Sequence, residues 1–237
     1  MAEGARREKA VRQAFRQQGE WCGQLGSPFM ARLMAGLAER LDRSTQTGAR
    51  ILDWPGQPDA EGDAVPIRLA GALHDRVRRG GDAVLASVYP PNDLPDADVL
   101  AQAVMAAIAR NDAAILPWLD LHPQTNEVAR SGVLYPGLMT VAGETGLPLE
   151  LYEIGASAGL NLMMDHFAYD FHGVSCGRAG SAVSLRPEWS GPLPGRDTVR
   201  IVGRRGCDRQ PIDLSDDEQC ARLLAYVWPD QPERLAR

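Results

Sequence analysis

The chain has 237 residues, of which 44% are hydrophobic and 24% charged, and its net charge is -6. That length fits one large domain or two small ones, and the composition is that of an ordinary globular protein. The acidic balance argues against a nucleic-acid partner, which calls for a basic surface that displaces phosphate counterions, and no apolar run is long enough to cross a bilayer.

The opening "MAEGARREKAVRQAF" carries charge but no apolar stretch of the signal-peptide kind, so the cytoplasm is the expected compartment. Lys9 is the only lysine, which excludes Schiff-base chemistry on an internal lysine. Cys22, Cys176, Cys207 and Cys220 form no C-x-x-C pair and read as reduced thiols. His74, His122, His166 and His172 show no zinc-ligand spacing, so no metal is expected.

The first half reads as helices. Ser27-Pro28 is a helix start, with serine as cap and proline in the first turn. Met30, Leu33, Met34, Leu37 and Leu41 follow at spacings of three and four, which makes one apolar stripe. Residues 43–63 are polar with Gly and Pro and read as a loop. Val65 to Arg79 is a second helix, with Leu69, Leu73 and Val77 on one face and Gly80-Gly81 as its stop. Asp96 to Ile108, rich in Ala and Leu, is a third.

The pattern changes in the second half. "HPQTNEVARS", residues 122–131, is a dense polar run that opens a helix. "LPLELYEI", residues 147–154, reads as a buried strand. "HFAYDF" and "SAVSL" are short strand candidates among glycines, a hairpin or an excursion from the main sheet. "DTVRIVGRR" is a further strand, and "SDDEQCARLLAYVW" a helix with Ser215 as cap, ended by Pro229. The expected division is a helical region, residues 1–120, and an α/β domain, residues 121–237.

Two chemistries fit "LYEIGASAGLNL", residues 151–162. Gly155-Ala156-Ser157-Ala158-Gly159 matches the G-x-S-x-G of a serine hydrolase, whose nucleophile sits on a sharp strand-to-helix turn. That reading needs a histidine late in the chain, and none follows His172. Glu153, Gly155 and Gly159 instead fit the acid-then-glycine turn of a cofactor site at the end of a parallel strand, with Ser157 where a second glycine is usual. A tight packing turn with no ligand is the third alternative. Gln124, Asn126, Glu127 and Arg130 could line such a pocket, or Glu127 and Arg130 could simply pair. Asp208, ending the later strand in "GCDRQPID", is the candidate for holding ribose hydroxyls, with Asp170 as the alternative.

"GSPFMARLMAGLA", "AVPIRLAGALH", "QTNEVARSGVLYPGL", "LYEIGASAGLNL", "GCDRQPID" and "YVWPDQPERL" together resemble a bacterial family, domain-of-unknown-function family 2332. That family resembles S-adenosylmethionine (SAM)-dependent methyltransferases of Rossmann type around the glycine turn. The resemblance implies a Rossmann-like sheet behind an all-helical N-terminal region. The resemblance implies no activity by itself; the function expected from the glycine turn and its neighbours is SAM binding, with methyl transfer to an unknown small acceptor. The cofactor turn is then Glu153, Gly155, Ser157 and Gly159, with Asp208 at the ribose and Asn126 and Glu127 facing the pocket. The resemblance further implies sequence beyond "YVWPDQPERL", so the sheet is expected to be incomplete here and either to cover its open edge by self-association or to be less stable than a longer form. A serine hydrolase and a non-catalytic binding module remain the alternatives.

Overall fold

The structure, a computed structural model, describes residues 2–194 and 199–236. It is a mixed α/β protein with a helical N-terminal region and small sheets. The chain divides into two units, one of residues 1–124 and 221–235, the other of residues 125–220 and 236–237.

The first unit is helical. Helix α1 (Ala2–Gln24) is followed by α2 (Pro28–Arg40), α3 (Gln46–Leu52), α4 (Val65–Arg78), α5 (Ala83–Ala86), α6 (Ala97–Arg110) and α7 (Asp112–Ile115). A 3-10 helix over Leu116–Asp120 ends this run. Ser27 caps α2 as its sequence predicts, its hydroxyl accepting from the Met30 amide. The stripe from Met30 to Leu41 is buried, and it joins Phe15, Ile51, Leu69, Leu73, Val104 and Ile108 in one core. Gly80, with φ of +66°, ends α4 at the expected glycine pair.

Helix α3 corrects the expected loop over residues 43–63. Thr45 caps it by accepting from the Gly48 amide, and Asp112 accepts from the Gln46 and Thr47 amides at 2.9 and 2.8 Å. The second cap lies far along the chain, so the local polar composition hides the helix.

In the second unit a single 3-10 turn, Val128–Arg130, leads into α8 (Ser131–Thr145), which ends at Gly146 with φ of +64°. The helix expected from the polar run thus begins only as that run ends. Strand β1 (Leu149–Ile154) follows, then a 3-10 helix over Leu160–His166. Next come β2 (Ala168–Phe171), β3 (Val174–Gly177), β4 (Ser184–Leu185) and β5 (Ile201–Cys207). The expected strand "DTVRIVGRR" begins at Asp197 and Thr198, which lie outside the described residues; β5 is its later part.

Strands β1 and β5 pair in parallel as a two-stranded sheet, with Ile154 opposite Cys207. Strands β3, β2 and β4 form a separate sheet in that order. The β2–β3 turn is His172-Gly173, both at positive φ, the geometry that matches strand twist in a two-residue hairpin.

Two expectations are corrected here. β1 is not a buried strand: its burial alternates, and Ile154 is 92% exposed. A two-stranded sheet with one covered face gives that alternation. Helix α9 (Asp217–Ala225) is capped by Asp216, which accepts from the Glu218 and Gln219 amides, and not by Ser215, whose hydroxyl donates to Asp213. Helix α9 begins in the second unit and ends in the first, where α10 (Pro232–Leu235) also lies.

Candidate functional site

Strands β1 and β5 run in the same direction, so their carboxyl ends lie side by side. Ligand sites of parallel sheets form at such ends, where the chain turns away. Strand β1 turns through three residues of positive φ: Gly155 at 70°, Ser157 at 52° and Gly159 at 71°. A Cβ on Gly155 would meet nothing within 4 Å, so its glycine answers to backbone conformation and leaves open space above the turn. Ser157 adopts the same region with a side chain, at a cost that the bonds around it offset.

Those bonds are specific. The Cys207 carbonyl accepts from the Gly155 and Ala156 amides at 2.8 and 3.1 Å. One oxygen of Asp208 accepts from the Ser157 amide at 2.9 Å, and the other from Gln210 at 2.8 Å. The Ser157 carbonyl accepts from Ile212 at 3.1 Å. Asn126 accepts from the Leu160 amide at 3.0 Å. Glu127 accepts from the Ala129 amide at 3.0 Å and so caps the short 3-10 turn before α8. The structure thus brings Glu153, Gly155, Ser157, Gly159, Asp208 and Asn126 to one strand end. Asn126 and Asp208 reach it as braces of the turn, and Glu127 is engaged by its own local cap.

Three further residues shape the site. A Cβ on Gly206 would lie 2.7 Å from the Ala156 Cβ, so only glycine lets β5 approach the turn. Asn161 is buried and accepts from the Ser131 hydroxyl at 2.9 Å, tying the start of α8 to the residues after the turn. Arg204 donates to the Leu162 carbonyl and to Asp165. An asparagine inside the apolar run "GLNLMM" is a signal for the second of these. Gly206 gives no local signal, because its neighbour Ala156 is distant in sequence.

Glu153 differs from the other acids. Its carboxylate has no hydrogen-bond partner among the described residues, and one oxygen is closed off from solvent. Burial raises its pKa, and the Arg130 charge acts the other way. Asp170, the alternative ribose acid, lies in β2 and accepts from the Gly173 amide in the hairpin. Gln124 falls in the first unit.

The Ser157 hydroxyl is buried without a partner among the described residues. The two histidines of its unit are engaged elsewhere: His166 faces Arg178 and Arg204, and His172 accepts from the Trp189 amide. No group of three or more His, Cys, Asp and Glu among the described residues could hold a metal ion.

Of the amides from Gly155 to Leu160, only that of Ala158 lacks a partner among the described residues. A phosphate cradle needs several free amides converging on the anion. The other amides of this turn are already bonded to Cys207, Asp208, Ala156 and Asn126, while a carboxylate beside it is left without a donor. The combination suits a ligand that donates hydrogen bonds or carries positive charge better than one that presents a phosphate.

A parallel strand pair with a braced glycine turn, in a mixed α/β chain with a helical N-terminal region, is the class of protein that these features define. The chain belongs to the family described as an uncharacterized protein conserved in bacteria (DUF2332), whose model matches residues 12–237. No curated protein and no solved structure matches it.

Proposed function

We propose that the protein binds SAM at the carboxyl ends of β1 and β5 and transfers its methyl group to a small acceptor. In this reading β1 and β5 are neighbouring strands of a Rossmann-like arrangement, and Asp208 follows directly on the second of them. The observation that carries the reading is the pairing of an undonated Glu153 carboxylate with a turn whose amides are already used. Dinucleotide cofactors place a pyrophosphate on such a turn. SAM has no phosphate, and its net positive charge suits the two acids of the site, Glu153 and Asp208, beside which Arg130 is the cation that acts on Glu153.

When bound, SAM supplies a methyl group activated on a sulfonium. Asp208, which accepts from the Ser157 and Gln210 amides, stands just past the end of β5, where an acid can meet ribose hydroxyls. Glu153 offers an acceptor to a hydroxyl or ammonium group. The turn, fixed by Cys207, Asp208 and Asn126, presents a rigid floor over which an acceptor is aligned. Alignment alone supplies much of the rate for such a transfer, so the site needs no strong base.

Thermal-shift measurement with SAM, S-adenosylhomocysteine and NAD tests the reading. Ligands of the native state raise the melting temperature by mass action. The two sulfur compounds are expected to raise it and NAD to leave it unchanged. A shift with NAD alone, or with none of the three, overturns the reading.

A further inference from the structure

Three of the stretches that carry the family resemblance lie outside the glycine turn: "GSPFMARLMAGLA", "AVPIRLAGALH" and "YVWPDQPERL". In the first unit they meet around one cavity of about 600 Å³. That volume lies within the roughly 300–1,000 Å³ of small-molecule pockets. The walls are apolar, with Phe29, Val77, Val227 and Trp228 beside Pro90 and Pro91.

The walls are held in place by polar ties that run across the chain. Asp230 accepts from the Ser27 hydroxyl and from the Phe29 amide at 2.9 Å, and Gln231 donates to the Leu25 carbonyl at 3.2 Å. His74, buried and lining the cavity, donates from Nδ1 to the Ala225 carbonyl at 3.0 Å. Such ties fix the pocket before any ligand arrives, which lowers the cost of binding.

Two charges on the lining are unused. Arg78 and Asp93 both line the cavity, both are exposed, and neither has a hydrogen bond or ion pair among the described residues. The other charges of the lining differ: Asp230 is spent on the start of α2, and burial keeps the His74 ring neutral by lowering its pKa to about 4. The lining therefore offers an apolar chamber, one free cation and one free anion.

We infer that this cavity is a binding site for a free amino acid with a large apolar side chain. The side chain would occupy the space between Trp228, Phe29 and the prolines. The carboxylate would face Arg78 and the ammonium Asp93. A purely apolar ligand would use neither charge, and an apolar acid would leave Asp93 facing it unpaired.

Calorimetric titration of the whole protein tests this with three probes: L-phenylalanine, 3-phenylpropionate, which lacks the ammonium, and phenylethylamine, which lacks the carboxylate. L-phenylalanine is expected to bind at least about tenfold more tightly than either, the scale of one hydrogen bond between charged groups. Arg78→Gln is expected to weaken L-phenylalanine and 3-phenylpropionate about tenfold while sparing phenylethylamine. Asp93→Asn is expected to do the reverse, weakening L-phenylalanine and phenylethylamine. Both side chains are exposed and unbonded, so both variants should fold, with unchanged circular dichroism. Glu153→Gln, in the other unit, should leave all three affinities unchanged. The inference is overturned if L-phenylalanine does not bind, if the three probes bind equally, or if either lining variant leaves its two probes unaffected.

Discussion

The two units solve the burial problem differently. The first packs Phe15, Met34, Leu37, Ile51, Leu69 and Leu73 into one core drawn from several helices. The second has a smaller cluster around Tyr135, Tyr169 and Phe171, where Tyr135 and Tyr169 stack with ring centroids 4.7 Å apart. It leaves Val133, Leu147, Tyr152, Ile154 and Val202 exposed. Its definition comes also from backbone and carboxylate bonds about the glycine turn. One large apolar core dominates the first unit, while the second combines a smaller core with the hydrogen bonds about the turn, so different substitutions should damage each.

The largest effect is expected from a cavity in the first core. Leu73 is fully buried, and Leu73→Ala should cost about 2–5 kcal/mol in denaturant melts. Ile154→Ala, on the open sheet face, should change stability by less than about 0.5 kcal/mol. Comparable losses at both positions would erase the contrast.

Acid should attack the first unit through His74. Its pKa falls from the ordinary 6.5 to about 4 because burial disfavours the charged ring. The unfolded chain then binds the proton first, so stability is complete above pH 6.5 and declines as pH falls toward 4. The loss should reach roughly 3 kcal/mol. His74→Asn, which keeps a donor for the Ala225 carbonyl, should flatten that part of the pH profile; an unchanged slope would remove His74 as its cause.

Gly206→Ala probes the second unit. The new Cβ would press on Ala156, and relieving it should cost about 1–3 kcal/mol and displace the turn. SAM affinity should fall with it, and a variant that melts and binds like the parent would show that β5 does not need to approach so closely. The smallest effect is expected at Ser157. Its hydroxyl has no histidine beside it, so a fluorophosphonate probe should leave the protein unlabelled. Stoichiometric labelling that disappears in Ser157→Ala would favour a hydrolase.

The sequence showed the helical unit well where periodicity is the signal. The stripe of α2, the Ser27 cap and the Gly80 stop are all local patterns. It failed at α3, where Asp112 supplies a cap from a distant helix. In the second unit the residues of the turn were visible, because glycines and an acid at a strand end form a short motif. Their partners were less so. Asp208 could be picked out as an acid at a strand end, but not as the acceptor of the Ser157 amide. Gly206 matters through a contact with Ala156 that no local pattern encodes. The exposure of Ile154 was hidden for a similar reason, since an apolar run looks the same whether or not a neighbour covers it.

Glu153 offers the most direct measurement. Burial raises its pKa, so the folded unit favours the protonated carboxyl, and its contribution to stability is lost as pH rises through the folded-state value. Glu153→Gln should therefore fold at neutral pH with a melting temperature equal to or above that of the parent. Titration of SAM into both proteins by calorimetry separates binding from folding. The parent is expected to bind, and the variant to bind at least about tenfold more weakly, the scale of a lost charged hydrogen bond. No binding to the parent, or equal affinity in both, would contradict that expectation.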